Sequence, residues 1–509
     1  TAQQNMEKSI VQDKATTPID IAPEKFRRLG YELIDQISNF LGDIQNRPVT
    51  TDFSPEELRR ILHSRDSLPL DGADPEELLR NITAQLISYS LFNGHPRFWG
   101  YITSSAAPIG MLGDLLAAAV NPNVGAWQLA PVATEIEAQT VRWIAELLNY
   151  PADCGGLLVS GGNMANFVGF LAARAAMAAG NIRAEGMLAT SAKPLRVYAS
   201  VETHTWIHKA TDLFGLGTDS IRWVKTDSKQ RLLLDDLKRL VEYDRTNGDM
   251  PMLVVGSAGT VSTGAIDPLP EMAELCEEYG IWFHVDGAYG AFAAILDDVD
   301  PALRGLSRAD SVAVDPHKWL YAPLEAGCAL VRHSQKLREA FSYHPPYYHF
   351  GEEALNYFDY GLQNSRGFRA LKVWLALKQV GRRGYASMLR ENIRLSQKMF
   401  RLLEREPLIE TFTQNLSIST FRYLPADLKD RKNEKEIAEY LNKLNEEILV
   451  RLKKSGEIFV SNAVINQSFL LRACIVNFRT RAEDIEIVPE IVIRHGKSAD
   501  SELRASLLN

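Results

Sequence analysis

Nearly unbroken apolar runs punctuate the middle of the chain: "RVYAS" (196–200), "PMLVVGS" (251–257), "IWFHVD" (281–286) and "DSVAVD" (310–315). Between the second and third lies "LPEMAELCEEYG" (269–280), an amphipathic helix pattern closed by Gly280. Runs apolar on both faces and joined by helices predict a parallel sheet covered on both sides. After "DSVAVD" the next run, "GCALVR" (327–332), follows too closely for a helical crossover, so it is expected to run antiparallel.

The flanking regions differ. Up to about residue 105 the pattern is a polar tail followed by helices. "SPEELRRILH" (54–63) and "DPEELLRNITAQLI" (74–87) each open with a capping residue, a proline and early acids. "PEKFRRLGYELIDQISNFLGDI" (23–44) carries Phe26, Leu29, Leu33, Ile34, Ile37 and Leu41 at helical spacing. Such a segment builds no large core alone, so its apolar faces need another surface. From about 386 a long helix is followed by "NLSISTFRYL", a charged helix near 434–454, and the strands "GEIFVSN" and "FLLRACIVNF". The expected organisation is a helical segment (1–105), an α/β domain (106–385) and a small α+β domain (386–509).

Composition narrows the functional classes. The chain has 509 residues, a formal charge of −8 and 24% charged residues. A net negative charge argues against nucleic acid or an anionic membrane as main partner. No apolar run approaches the roughly 20 residues that cross a bilayer. The polar start has no apolar signal core, and Cys154, Cys276, Cys328 and Cys474 are scattered without a metal or disulfide spacing. A reduced, cytoplasmic protein is expected.

The chemistry collects at the strand ends, where open parallel sheets bind ligands. His204 follows "RVYASVET", Ser257 ends the second run, Asp286 ends the third, and His317 and Lys318 follow the fourth. An aspartate and a lysine at neighbouring strand ends are what a pyridoxal phosphate site needs. The amine forms a Schiff base with the aldehyde, and the carboxylate keeps the pyridine nitrogen protonated. Ser160-Gly161-Gly162-Asn163, between a short apolar run and a helix ending near Gly180, offers small residues and a helix N-terminus for a phosphate.

With "PVATEIE" (131–137), "HVDGAY" (284–289), "DPHKW" (315–319) and "RGFRALKVW" (366–374), the chain resembles the pyridoxal-phosphate-dependent group II amino-acid decarboxylases over about 22–480. The resemblance implies an aminotransferase-like α/β fold (PLP fold type I) and pyridoxal 5'-phosphate as cofactor. It implies a small amino-acid substrate and a homodimer with the active site at the interface. Lys318 would bind the cofactor covalently, Asp286 would pair with its ring nitrogen, and His204 and Ala288 would sandwich the ring. Gly162, Asn163 and His317 would hold the phosphate, with Ser257 close by and the segment around Ser365 and Arg366 reaching the neighbour's phosphate. Tyr347, in "YHPPYYHFGEEALNY" (343–357), would return a proton to the substrate carbon, with Tyr348 next to it.

The segments "RFWGYITSS" (97–105) and "GAWQLAP" (125–131) would build an aromatic substrate wall from Phe98, Trp99, Tyr101, Ile102 and Trp127. That suits decarboxylation of an aromatic L-amino acid. Oxidative conversion to an aldehyde, or a non-aromatic substrate, is the alternative. The chain departs from the family at three positions, and at Asn163 a usual serine gives way to another side-chain donor. Asp315 replaces a usual asparagine and is expected to be a strand-end acceptor, and Gly125 stands where a phenylalanine is common. Rival readings use the residues less completely. A metallohydrolase built on His284, Asp286 and His317 leaves Lys318 idle, and a nicotinamide enzyme would need a Gly-x-Gly-x-x-Gly turn that the sequence lacks. A non-catalytic binding module would have no use for Lys318, Asp286 and Tyr347 together.

Overall fold

The computed structural model describes residues 17–187, 193–344 and 354–507. Its contacts divide the chain at Phe92/Asn93 into two compact units. In the first, α1 (Pro23–Asp43), α2 (Pro55–Ile61) and α3 (Pro75–Tyr89) follow one another. Ser54 caps α2 in a reciprocal capping box with Glu57, as the Ser-Pro-Glu-Glu pattern predicts. Lys25–Asp74 and Arg28–Glu76 pairs, each 2.8 Å, tie α1 to α3.

The second unit opens with α4 (Pro108–Val120) and α5 (Pro131–Leu147) and then builds a seven-stranded sheet. Its strands are β1 (Gly155–Val159), β2 (Leu195–Ser200), β3 (Ile221–Val224), β4 (Met250–Ser257), β5 (Trp282–Asp286), β6 (Ser311–Val314) and β7 (Gly327–Val331). The order is β1-β7-β6-β5-β4-β2-β3. Every neighbour pair from β3 to β6 is parallel, and β7 is antiparallel to both β6 and β1. The short link after β6 leaves no room for a helical crossover, so β7 returns the other way. Helices α6 (Gly162–Met177), α7 (Trp206–Leu213), α8 (Leu234–Thr246) and α9 (Leu269–Tyr279) connect the strands, and two large apolar clusters cover the sheet. This is the mostly parallel, aminotransferase-like fold.

Strand β3 carries no sequence signal as strong as the others. It is four residues long at the sheet edge, and Arg222 within it points out to the carboxylate of Asp244 at 2.8 Å. Past α10 (Pro316–Trp319) and α11 (Ser334–Phe341), the long α12 (Ala370–Glu404), broken at Gly381, leads into a second sheet. That sheet is antiparallel, ordered β10-β11-β9-β8, from β8 (Ile409–Asn415), β9 (Ile418–Tyr423), β10 (Ser461–Ile465) and β11 (Ser468–Cys474). Within "NLSISTFRYL", a tight turn with Leu416 at φ 47° separates the end of β8 from β9. Helices α13 (Lys435–Ser455) and α14 (Val488–Leu507) pack on this sheet around their own apolar cluster.

Candidate active site

The carboxyl ends of β4, β5 and β6 open into one cavity of about 420 Å³. Gly162, Asn163, His204, Ser257, Asp286, Ala288, His317 and Lys318 all line it. Parallel register brings them together: Ser257 and Asp286 are direct partners across β4 and β5, and β6 delivers Asp315 and Lys318 one strand further on.

Each polar group is held in a definite way. Asp286 Oδ2 accepts the indole N–H of Trp206 at 2.8 Å, and Oδ1 accepts the Ala288 N–H at 3.2 Å. Burial lowers the pKa of His204, against the opposing pull of Asp286, so its ring is neutral near pH 7. His317 donates its Nδ1 hydrogen to the Ala326 carbonyl at 2.7 Å, which leaves Nε2 as the nitrogen free to meet a ligand. Burial lowers its pKa as well. Ser257 is fixed through its N–H to Asp267, whose carboxyl burial raises to about 6.

The turn before α6 fits an anion closely. Gly161 has φ +112°, a conformation glycine adopts readily. A Cβ on Gly162 would lie 2.6 Å from Asp315 Oδ2 and 3.2 Å from the Ala288 methyl, so any side chain would fill the cradle. The unpaired N–H groups opening the 16-residue α6 face the same space.

Asp315 is not a strand-end acceptor. Its carboxylate, 2% exposed, is paired with Lys318 Nζ at 2.9 Å, while Oδ1 is buried with no hydrogen-bond partner among the described residues. A side-chain-free turn at a helix N-terminus, a lysine and the Asp286 carboxylate in one cavity suit a phosphorylated aldehyde with a basic ring nitrogen. These residues fit pyridoxal phosphate.

Among the described residues, Trp99, Tyr101, Ile102 and Trp127 do not line this cavity. Trp99 is 0% exposed because its backbone pairs with Phe459 and Cys474 and its indole N–H bonds Thr480, which places the ring in the C-terminal core. Phe98 stacks on Phe459 in the same weave, and Ile102 joins the core of the large sheet. Tyr101 and Trp127 face outward, the latter bonded to Glu135. Gly125 has no room for a larger residue, since a Cβ there would meet the Asn364 carbonyl oxygen at 2.2 Å.

Of the segment around Ser365 and Arg366, Ser365 is exposed and Arg366 is buried. Its guanidinium is 2% exposed and committed to Glu137 and to the carbonyls of Val124 and Leu158, so it cannot reach a neighbouring subunit. Tyr347 and Tyr348 lie outside the described residues. Both ring nitrogens of His284 are taken, by Asn166 at 2.7 Å and Ser311 at 2.8 Å, which removes it as a metal ligand.

Three features escaped the sequence reading. Trp206 stands two residues beyond His204 and secures Asp286. Glu202 lines the cavity, with its pKa raised by burial. Arg472, buried on β11, donates to the Val261 carbonyl and so braces a cavity loop from behind.

A parallel sheet ending in a lysine, an aspartate and a glycine-lined anion turn defines a pyridoxal-phosphate enzyme of fold type I. The family profile described as "Pyridoxal-dependent decarboxylase conserved domain" matches residues 55–423, and the chain belongs to that family. It is 32% identical to the aromatic-L-amino-acid decarboxylase of Bacillus atrophaeus, over 92% of this chain and 94% of that one. It is 28% identical to a phenylacetaldehyde synthase of Petunia hybrida, over 95% and 96%. Among solved structures, Oryza sativa TDC with PLP and tryptamine superposes with a TM-score of 0.87 at 25% identity, covering 95% of this chain and 99% of that one. Mouse CSAD superposes at 0.88 and 26% identity, covering 94% and 99%. The protein is a pyridoxal-phosphate-dependent amino-acid decarboxylase. Among the described residues no helix is long and apolar enough to cross a membrane.

Proposed function

We propose that the protein converts an aromatic L-amino acid to its amine and carbon dioxide. The observation that carries this reading is the single cavity holding Lys318, Asp286 and the Gly161–Gly162 turn. The likeness to a relative named for aromatic L-amino acids supports the substrate class. When bound, the cofactor supplies an electron sink for the bond broken at the substrate α-carbon. The chain's own residues do the rest. Lys318 would offer the amine that anchors the cofactor, and Asp286 would pair with its ring nitrogen. Neutral His204 would present a flat face to the ring without adding charge, with Ala288 on the ring's other side. The N-terminus of α6, with Asn163 in its first turn, receives the phosphate.

The second reading, oxidative formation of an aldehyde, is favoured by the phenylacetaldehyde synthases among the relatives. Against it stands Tyr347 in the 343–357 segment, a phenol able to return a proton to the substrate carbon. Purified enzyme should be offered tryptophan, tyrosine, DOPA, phenylalanine, glutamate and cysteine sulfinate. Amine and carbon dioxide in equal amounts from the aromatic set, without peroxide or ammonia, support the proposal. Aldehyde with peroxide overturns it in favour of the second reading, and release from glutamate alone overturns the substrate class.

We also infer a homodimer in which a second subunit completes the substrate wall. Leu112, Leu115, Leu116 and Val120 form an exposed stripe on α4, Phe26 and Tyr31 are exposed on α1, and Leu78, Ile82 and Leu86 on α3. Sedimentation at nanomolar concentration with activity measured in parallel tests this, and a fully active monomer refutes it. A reducing cytoplasmic setting suits the four free thiols, three of them buried.

A further inference from the structure

The carboxylate that faces the cofactor ring has a partner with no counterpart in the sequence reading. Trp206 is 0% exposed at the start of α7, and its indole N–H points at Asp286 Oδ2 from 2.8 Å. A buried indole nitrogen needs an acceptor, yet the surrounding core supplies neutral ones elsewhere: Trp282 bonds a serine hydroxyl and Trp319 an asparagine. Here the acceptor is an ionisable group lining the cavity.

The rest of the surroundings fix Trp206 in place. Its ring meets His284 edge-on, with centroids 5.6 Å apart at 78°. His284 is itself locked, with Nε2–H donating to Asn166 and Nδ1 accepting from Ser311. Ser311 in turn accepts the Trp282 indole N–H at 2.8 Å, which orients its hydroxyl hydrogen toward His284. The charged or titratable groups facing Asp286 are His204, Lys318 and His284, and burial keeps both histidines neutral near pH 7. Among the described residues, the hydrogen bonds to the Asp286 carboxylate come from two donors, the Trp206 and Ala288 N–H groups.

We propose that Trp206 is a positioning residue that acts through Asp286, holding the carboxylate ionised and oriented so that the proton stays on the cofactor's ring nitrogen. A donor on a carboxylate stabilises its charged form over its protonated form, by more when both are buried. In a carboxylate–pyridinium pair that preference decides which partner keeps the proton. The inference rests on the reading of Asp286 as the ring-nitrogen partner.

The test uses the full enzyme, stripped and reloaded with pyridoxal phosphate labelled with ¹⁵N in the ring. The ¹⁵N shift reports protonation directly, independent of turnover. Wild type should show a protonated ring nitrogen, and Trp206→Phe should move the shift toward the unprotonated value. Turnover should fall roughly tenfold with KM little changed, the scale of one charge-assisted hydrogen bond. Should Trp206→Phe fail to fold, benzothienylalanine at position 206 keeps the indole shape without its N–H and must give the same shift. An unmoved ¹⁵N shift in either variant overturns the proposal and leaves Trp206 as packing. Asp286→Asn separates the two layers. If it shifts the nitrogen while the Trp206 variants do not, only this inference falls; if it does not, the Asp286 reading falls and takes the inference with it.

Discussion

Lys318 Nζ lies 2.9 Å from Asp315 Oδ2, the oxygen that faces the Gly162 turn, and the other oxygen of that carboxylate is buried with no hydrogen-bond partner among the described residues. A carboxylate beside an anion cradle works against the phosphate. Asp315→Asn removes that charge, so stripped enzyme carrying it should bind pyridoxal phosphate about tenfold tighter, a modest share of the repulsion between close like charges at an effective dielectric near 20. Absorbance titration measures this, and pyridoxal without its phosphate should gain less. Equal or weaker binding would show that Asp315 supports the cofactor rather than opposing it.

The lysine assignment has its own measurement. Borohydride treatment of the loaded enzyme should leave a pyridoxyl group on Lys318, found by peptide mapping. Lys318→Ala should keep the fold, lose the covalent chromophore and lose turnover. A label on any other lysine sinks the assignment.

These strand-end residues were legible because β4, β5 and β6 are apolar on both faces, so the first polar residue after each run marks the mouth of the sheet. Edge strand β3 was not legible, because half its side chains face outward and Arg222 breaks the run. The surroundings of Trp99 were not legible for another reason. Whether Trp99 faces a ligand or a core is settled by backbone pairing with Phe459 and Cys474, far along the chain, which no local pattern encodes. Trp206 was overlooked because an indole near a strand end reads as packing until its N–H is seen on a carboxylate.

Arg366 and Glu137 make a structural rather than a catalytic prediction. The pair is 2% and 0% exposed at 2.5 Å, and Glu137 also accepts the Leu158 N–H at the end of β1. Tyr357 covers the guanidinium with its ring centroid 4.6 Å away. Arg366→Met strands a buried carboxylate and should cost about 3–5 kcal/mol in chemical denaturation. The double variant with Glu137→Leu removes both charges and should recover a large part of that loss. If the double variant is no better than the single, the cost lies in packing against Tyr357.

His284 predicts how stability depends on pH. Complete burial lowers its pKa from the ordinary 6.5 to about 4, because the charged ring would lose its hydration while Asn166 and Ser311 satisfy the neutral form. Above pH 6.5 the ring is neutral in both folded and unfolded chains and contributes no slope. Below 6.5 the unfolded chain takes up a proton that the folded chain refuses, so stability falls. The loss is complete near pH 4, where the folded form also protonates, and amounts to about 3 kcal/mol. Asp267 has the opposite sign: raised to about 6, it takes up its proton first in the folded state and adds stability as pH drops from 6 toward 4. The wild-type curve alone therefore blends the two. The difference between wild type and His284→Asn, followed by urea denaturation at steps from pH 7.5 to 4, isolates the histidine. His284→Asn should be the less stable protein at pH 7.5, having lost a matched hydrogen-bond pair, and the gap should narrow steadily below 6.5. Parallel curves would mean that the buried ring finds a way to carry its charge in the folded state.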